Sequence, residues 1–63
     1  MNWTSEEIKS FRLLLNLSQT DFGKLLGVSR IHVSYLESGT RVASQTLKNL
    51  LNCLEREHKK EDK

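Results

Sequence analysis

Proline is absent from this 63-residue chain, cysteine occurs once, at Cys53, and the three glycines all fall between residues 23 and 39. A lone thiol closes no intramolecular disulfide, and with no Cys or His partner at ligand spacing it builds no zinc knuckle or finger. No apolar run approaches the roughly 20 residues that span a bilayer. The N-terminus also lacks the basic start, apolar stretch and small-residue cleavage site of a secretory signal. These absences predict a soluble protein of a reducing cytoplasm, with no membrane partner.

A Gly-rich phosphate loop, a Ser-His-Asp set and an acid pair suited to a cleft are missing too. His32 and His58 have no metal-ligand partner at useful spacing and read as plain polar residues. An enzyme is therefore not expected, and no cofactor, metal or small-molecule ligand is implied. Nor is there a large surplus of one charge, the net being +2. Residues 55–63, EREHKKEDK, hold four acids and four bases and read as a frayed, solvated tail. The excess lies before them, with Lys9, Arg12, Lys24, Arg30, Arg41 and Lys48 against Glu6, Glu7, Asp21 and Glu37. Three of these four acids fall in first helical turns, where the macrodipole accounts for them. The balance permits nucleic-acid binding without establishing it.

What is present is the grammar of short helices. With 37% hydrophobic residues, a chain this short buries only about 60% of its unfolded surface, so residues 1–63 make one domain around one core. Such a core supplies only a few kcal/mol, and a partner subunit is a natural supplement. Thr4-Ser5-Glu6-Glu7 is a capping box, with Trp3 placed to staple onto Ile8, and Ile8, Phe11, Leu14 and Leu15 are assigned one face. Ser18 caps a second helix with Phe22, Leu25 and Leu26 on its apolar side, and Leu17 can staple onto Phe22. Gly27 stops it. Ser29 then caps a third helix through about Glu37, with Val28 placed to staple onto Val33, while Val33 and Leu36 face inward and Gly39 ends it. After a loop over 40–43, Ser44 caps a last helix carrying Leu47, Leu50, Leu51 and Leu54 on one stripe. Cys53, beside that stripe, reads as a small packing residue.

Residues 18–39, SQTDFGKLLGVSRIHVSYLESG, thus place two short helices about the Gly27-Val28-Ser29 turn, which is helix-turn-helix geometry. Gly23 lets the helices approach, Gly27 makes the turn, and Val33 with Leu36 lock the second helix to the core. Four residues of that helix, Arg30, Ile31, Ser34 and Tyr35, remain on its outer side. Arg30 suits a bidentate contact to guanine and Ile31 a thymine methyl.

That stretch, with FRLLLNLSQ before it and Glu37-Ser38-Gly39 at its end, resembles the Cro/C1-type, lambda-repressor-like family of regulators over roughly residues 8–54. The resemblance implies an all-α domain of four to five short helices that inserts its third helix into the major groove, usually as a dimer on a palindromic operator. It assigns Arg30, Ile31, Ser34 and Tyr35 to bases and Gln19 to the phosphate backbone, where helix N-terminal amides also point. Arg41 matches a loop position that approaches phosphate, and Ser29 and Thr40 are placed to assist. Tyr35 has a second reading, resting on the domain surface with its hydroxyl in water. Arg12 is open to a phosphate contact, but the family pairs its counterpart with the glutamate matching Glu37, and a partly buried charge needs a partner. The chain departs from the family in having Ser44 where a proline is frequent, Gly23 where alanine is frequent, and a charged tail where many relatives have a fifth helix. Val42, Leu50, Cys53 and Leu54 are therefore the candidates for a homodimer contact.

The function implied is a small homodimeric autorepressor of the phage, plasmid, toxin-antitoxin or anti-CRISPR-operon type, in a bacterial or phage-infected cytoplasm, with a double-stranded DNA operator as partner. In 63 residues there is no room for a ligand-binding or catalytic domain, so protein concentration acting through dimerisation is the natural control. The alternative is an adaptor or anti-repressor that uses the same fold to bind a protein.

Overall fold

Local sequence rules account for every helix start in the computed structural model, which describes residues 3–61 and the side chains of residues 3–59. Four helices follow in order: α1 over Ser5–Leu14, α2 over Gln19–Leu26, α3 over Arg30–Ser38 and α4 over Gln45–Glu61. At α1 the capping box is complete, with Glu7 N donating to Thr4 Oγ1 at 3.3 Å and Thr4 N donating to Glu7 Oε1 at 3.0 Å. Three serines do the same work further on, Ser18 Oγ accepting from Asp21 N, Ser29 Oγ from His32 N and Ser44 Oγ from Leu47 N, all at 3.1–3.2 Å. Each satisfies a first-turn amide that has no helical acceptor.

Between α2 and α3 only Gly27, Val28 and Ser29 intervene. Gly27 takes φ 77° and ψ 28°, a left-handed conformation that an L side chain resists. Val28 N then donates back to the Gly23 carbonyl at 2.8 Å. The turn folds down so closely on Gly23 that a Cβ there would lie 2.7 Å from the Val28 carbonyl oxygen. Gly23 therefore sets how tightly the two helices of the motif are joined.

Trp3, Ile8, Phe11, Phe22, Leu26, Val33, Leu36, Ala43, Leu47 and Leu51 form the core. Phe11 links its two ends, meeting Trp3 edge-on at 5.3 Å between ring centroids and Phe22 edge-on at 6.3 Å. Leu15, Leu17, Val28, Leu50 and Leu54 pack around it, partly buried.

Four expectations need correction. Leu14 is 62% exposed: at 100° per residue, Ile8, Phe11 and Leu15 span about 60° of arc and Leu14 lies about 60° beyond Phe11. Leu25 is 44% exposed, because α2 is turned to bury Gly23 and Leu26 and so carries Leu25 off the opposite edge of Phe22. Cys53 is exposed rather than packed, lying about 110° round α4 from the centre of its leucine stripe. Finally, α4 continues through Glu61 where a frayed tail is expected from residue 55. Glu55, Arg56, Glu57, Lys59 and Lys60 are good helix formers with no glycine or proline among them, and the helix simply extends. Residues 62 and 63, the rest of that expected tail, lie outside the described residues.

Candidate nucleic-acid interface

Helix α3 has one side fixed and one side free. Val33 and Leu36 are 0% exposed, and at 100° per residue Arg30, Ile31, Ser34 and Tyr35 lie about 90–170° round the helix from the midpoint between them, on the remaining arc. Arg30 is exposed, Ile31 is 55% exposed and Tyr35 43%, while Ser34 is half-buried. An isoleucine and a tyrosine left open beside an arginine make a surface that is both apolar and cationic. Base edges in a major groove call for that mixture.

The flanks of α3 hold the other candidates. At its start, Ser29 is exposed and its hydroxyl is engaged by His32 N at 3.1 Å. At its end, Arg41 N donates to the Tyr35 carbonyl at 3.2 Å, which ties the 39–44 loop to the last turn of α3 and holds the exposed Arg41 beside it. Ser38 Oγ donates to the same carbonyl at 3.2 Å and lies 2.9 Å from Thr40 Oγ1. With the single Ser38 proton committed, Thr40 supplies the proton of that second bond and is left with acceptor capacity only. Among the described residues Arg41 has no ion-pair partner, whereas the Thr40 hydroxyl is already in use.

Gln19, the first residue of α2, is half-buried, and its Nε2 donates to Glu37 Oε1 at 3.2 Å. The same carboxylate is the partner of Arg12, whose Nε donates to Glu37 Oε2 at 2.6 Å and whose Nη2 donates to Oε1 at 3.2 Å. Arg12 Nη1 also donates to the Leu17 carbonyl at 2.9 Å. One guanidinium therefore joins α1, the α1–α2 link and the C-terminal turn of α3. The bond from Gln19 into this group could not be read from spacing, since 18 residues separate the two side chains.

Of the candidates for self-association, Val42 is 82% exposed and Cys53 is exposed, whereas Leu50 and Leu54 offer only edges because both pack against the chain's own core. His32 is half-buried and lines a shallow apolar groove with Leu26, Val28, Leu47 and Leu50. Among the described residues no cluster of His, Cys, Asp or Glu could hold a metal ion, and no helix is long and apolar enough to cross a membrane.

Two short helices joined by a three-residue glycine turn, the second with its outer side unpacked, define a helix-turn-helix domain, a class that binds duplex DNA. The chain belongs to the Cro/C1-type helix-turn-helix family of DNA-binding regulators: a family model described as helix-turn-helix matches residues 8–59. No curated protein and no solved structure matches it.

Proposed function

We propose that this DNA-binding regulator is a sequence-specific repressor that places α3 in the major groove of a palindromic operator as a homodimer and holds down its own promoter. The observation that carries the reading is the division of α3. Its inner residues Val33 and Leu36 are sealed in the core, so Arg30, Ile31, Ser34 and Tyr35 are presented on a rigid support at base-reading spacing. Arg30 contacts guanine, Ile31 a thymine methyl, and Ser34 and Tyr35 the neighbouring edges. Gln19, Ser29 and Arg41 meet the backbone on either side and fix the register, and Thr40 joins them by turning its hydroxyl proton from Ser38 Oγ to phosphate. Val42 and the outer side of α4 at Cys53 supply the contact between subunits. A role other than catalysis follows from the same reading.

In vitro selection of bound duplexes tests all of this at once. The expected product is a two-fold symmetric motif with half-sites about one turn, ~34 Å, apart. Recovery of an asymmetric single half-site overturns the dimer, and recovery of no enriched sequence overturns specific recognition. In the latter case the same fold is a protein-binding adaptor, for which the exposed Leu13 and Leu14 on α1 are the contact to examine.

A further inference from the structure

Glu37 is the point at which the ion pair and the start of α2 converge. Its side chain is 5% exposed and that of Arg12 13%. Its two oxygens take three donors, Nε and Nη2 of Arg12 and Nε2 of Gln19. A carboxylate only accepts, so the Gln19 amide is turned with Nε2 toward Glu37 and Oε1 away from it. A free glutamine would rotate about its last torsion and lose that freedom on docking to a ligand. Here the loss is already incurred in folding, and the second Nε2 proton points in a fixed direction.

We infer that Glu37 is a positioning residue for DNA binding: it orients the Gln19 amide toward a backbone phosphate, and Arg12 makes this workable by neutralising the carboxylate. The inference rests on the reading of Gln19 as a backbone contact. Without Arg12, Glu37 would set an unscreened negative charge one hydrogen bond behind the side chain that meets the phosphate, and like charges in a largely buried site repel strongly. With Arg12 in place the pair is neutral, and Arg12 also grips the Leu17 carbonyl at 2.9 Å, which fixes the link that delivers Gln19. The α1–α3 pair thereby governs both the geometry and the charge of the anchor.

The test separates stability from affinity. Replacing a buried ion pair by apolar residues of similar volume is commonly neutral for folding, so Arg12→Met/Glu37→Met is expected to melt within about 5 °C of the wild type. On the selected duplex it is expected to bind ~5- to 10-fold more weakly, the range for losing one good polar contact. Gln19→Ala should cost a similar factor in the wild-type background but less than about 2-fold when added to the double variant, because the two share one function. An equal cost in both backgrounds overturns the inference. A salt slope shallower by about one in the double variant also overturns it, since Arg12 would then itself reach phosphate.

Should the double variant not fold, the free wild-type protein still decides. One Gln19 side-chain amide proton is expected to be shifted downfield and protected from exchange, and to lose both properties in Glu37→Gln. An amide indistinguishable from a solvated glutamine contradicts the inference. If the wild type binds no duplex, the DNA reading itself falls, and this inference with it.

Discussion

The indole Nε1 of Trp3 donates to Oδ1 of Asn52 at 2.7 Å, joining positions 49 residues apart. Trp3 takes φ 58°, a left-handed conformation that costs a non-glycine residue roughly 1–2 kcal/mol. Burial of the ring to 3% exposure against Phe11 offsets that cost. Asn52 is the partner that lets the polar edge of the ring be buried as well. Asn52→Leu leaves the indole N–H without its acceptor and is expected to lower unfolding free energy by about 1–3 kcal/mol. Urea titration followed by the emission of Trp3, the one tryptophan in the chain, measures it. An unchanged midpoint would show that the bond is replaced by water at no cost.

The leucines of the outer surface should behave unlike those of the core. Leu14→Gln and Leu25→Gln, at residues 62% and 44% exposed, are expected to change stability by less than about 0.5–1 kcal/mol, while Leu51→Ala, at a site of 0% exposure, costs about 2–5 kcal/mol. Thermal melts of the three variants check this ranking.

Gly23 is the narrowest point of the motif. A Cβ would stand 2.7 Å from the Val28 carbonyl oxygen, so Gly23→Val must push the turn outward and separate α2 from α3. A loss of about 3 kcal/mol or more is expected, with weaker DNA binding in whatever fraction remains folded. Alanine carries the same Cβ and meets the same backbone oxygen, so Gly23→Ala is also expected to destabilise, by less than valine with its two further methyl groups.

Acid should weaken the start of α1. The backbone and hydroxyl of Thr4 hold the Glu7 carboxyl below its ordinary value of 4.5. A depressed folded-state pKa gives stability that is present above the unfolded value and lost as pH falls through the folded one. Wild type is therefore expected to exceed Glu7→Gln in melting temperature at neutral pH. The difference should shrink as pH drops below the ordinary carboxylate range. A difference that holds steady down to pH ~2 would assign the effect to something other than this charge.

Much of this arrangement is legible in the chain itself, and for a physical reason. Thr4, Ser18, Ser29 and Ser44 each act on an amide three residues away, and Gly27 acts on its own backbone, so local rules suffice for the four helix starts and the turn. The inward placement of Val33 and Leu36 follows from their spacing of three. What spacing does not give is how far round each helix the core reaches. Leu14 and Leu25 look like core residues until the neighbouring helices are placed, because rotation of α2 toward Gly23 is set by the turn packed against it. Contacts between distant polar side chains are equally hidden. Trp3 with Asn52 and Gln19 with Glu37 meet only once the helices have assembled, and nothing in either residue alone announces a partner.

The outer side of α3 is the centre of the functional account, and the paired behaviour of two arginines tests it most directly. Arg30, in the first turn of α3, is assigned to a base, and Arg41, held beside the last turn by its bond to the Tyr35 carbonyl, to the backbone. Binding of the selected duplex and of a scrambled duplex should be measured across a salt series for Arg30→Ala and Arg41→Ala. Arg30→Ala is expected to lose about 1–3 kcal/mol on the selected sequence while changing the scrambled one little. Arg41→Ala should weaken both alike and shallow the salt slope by about one. If both substitutions weaken the two duplexes equally, α3 does not read bases, and if neither changes binding to any duplex, the unpacked side of α3 is not the DNA-binding surface.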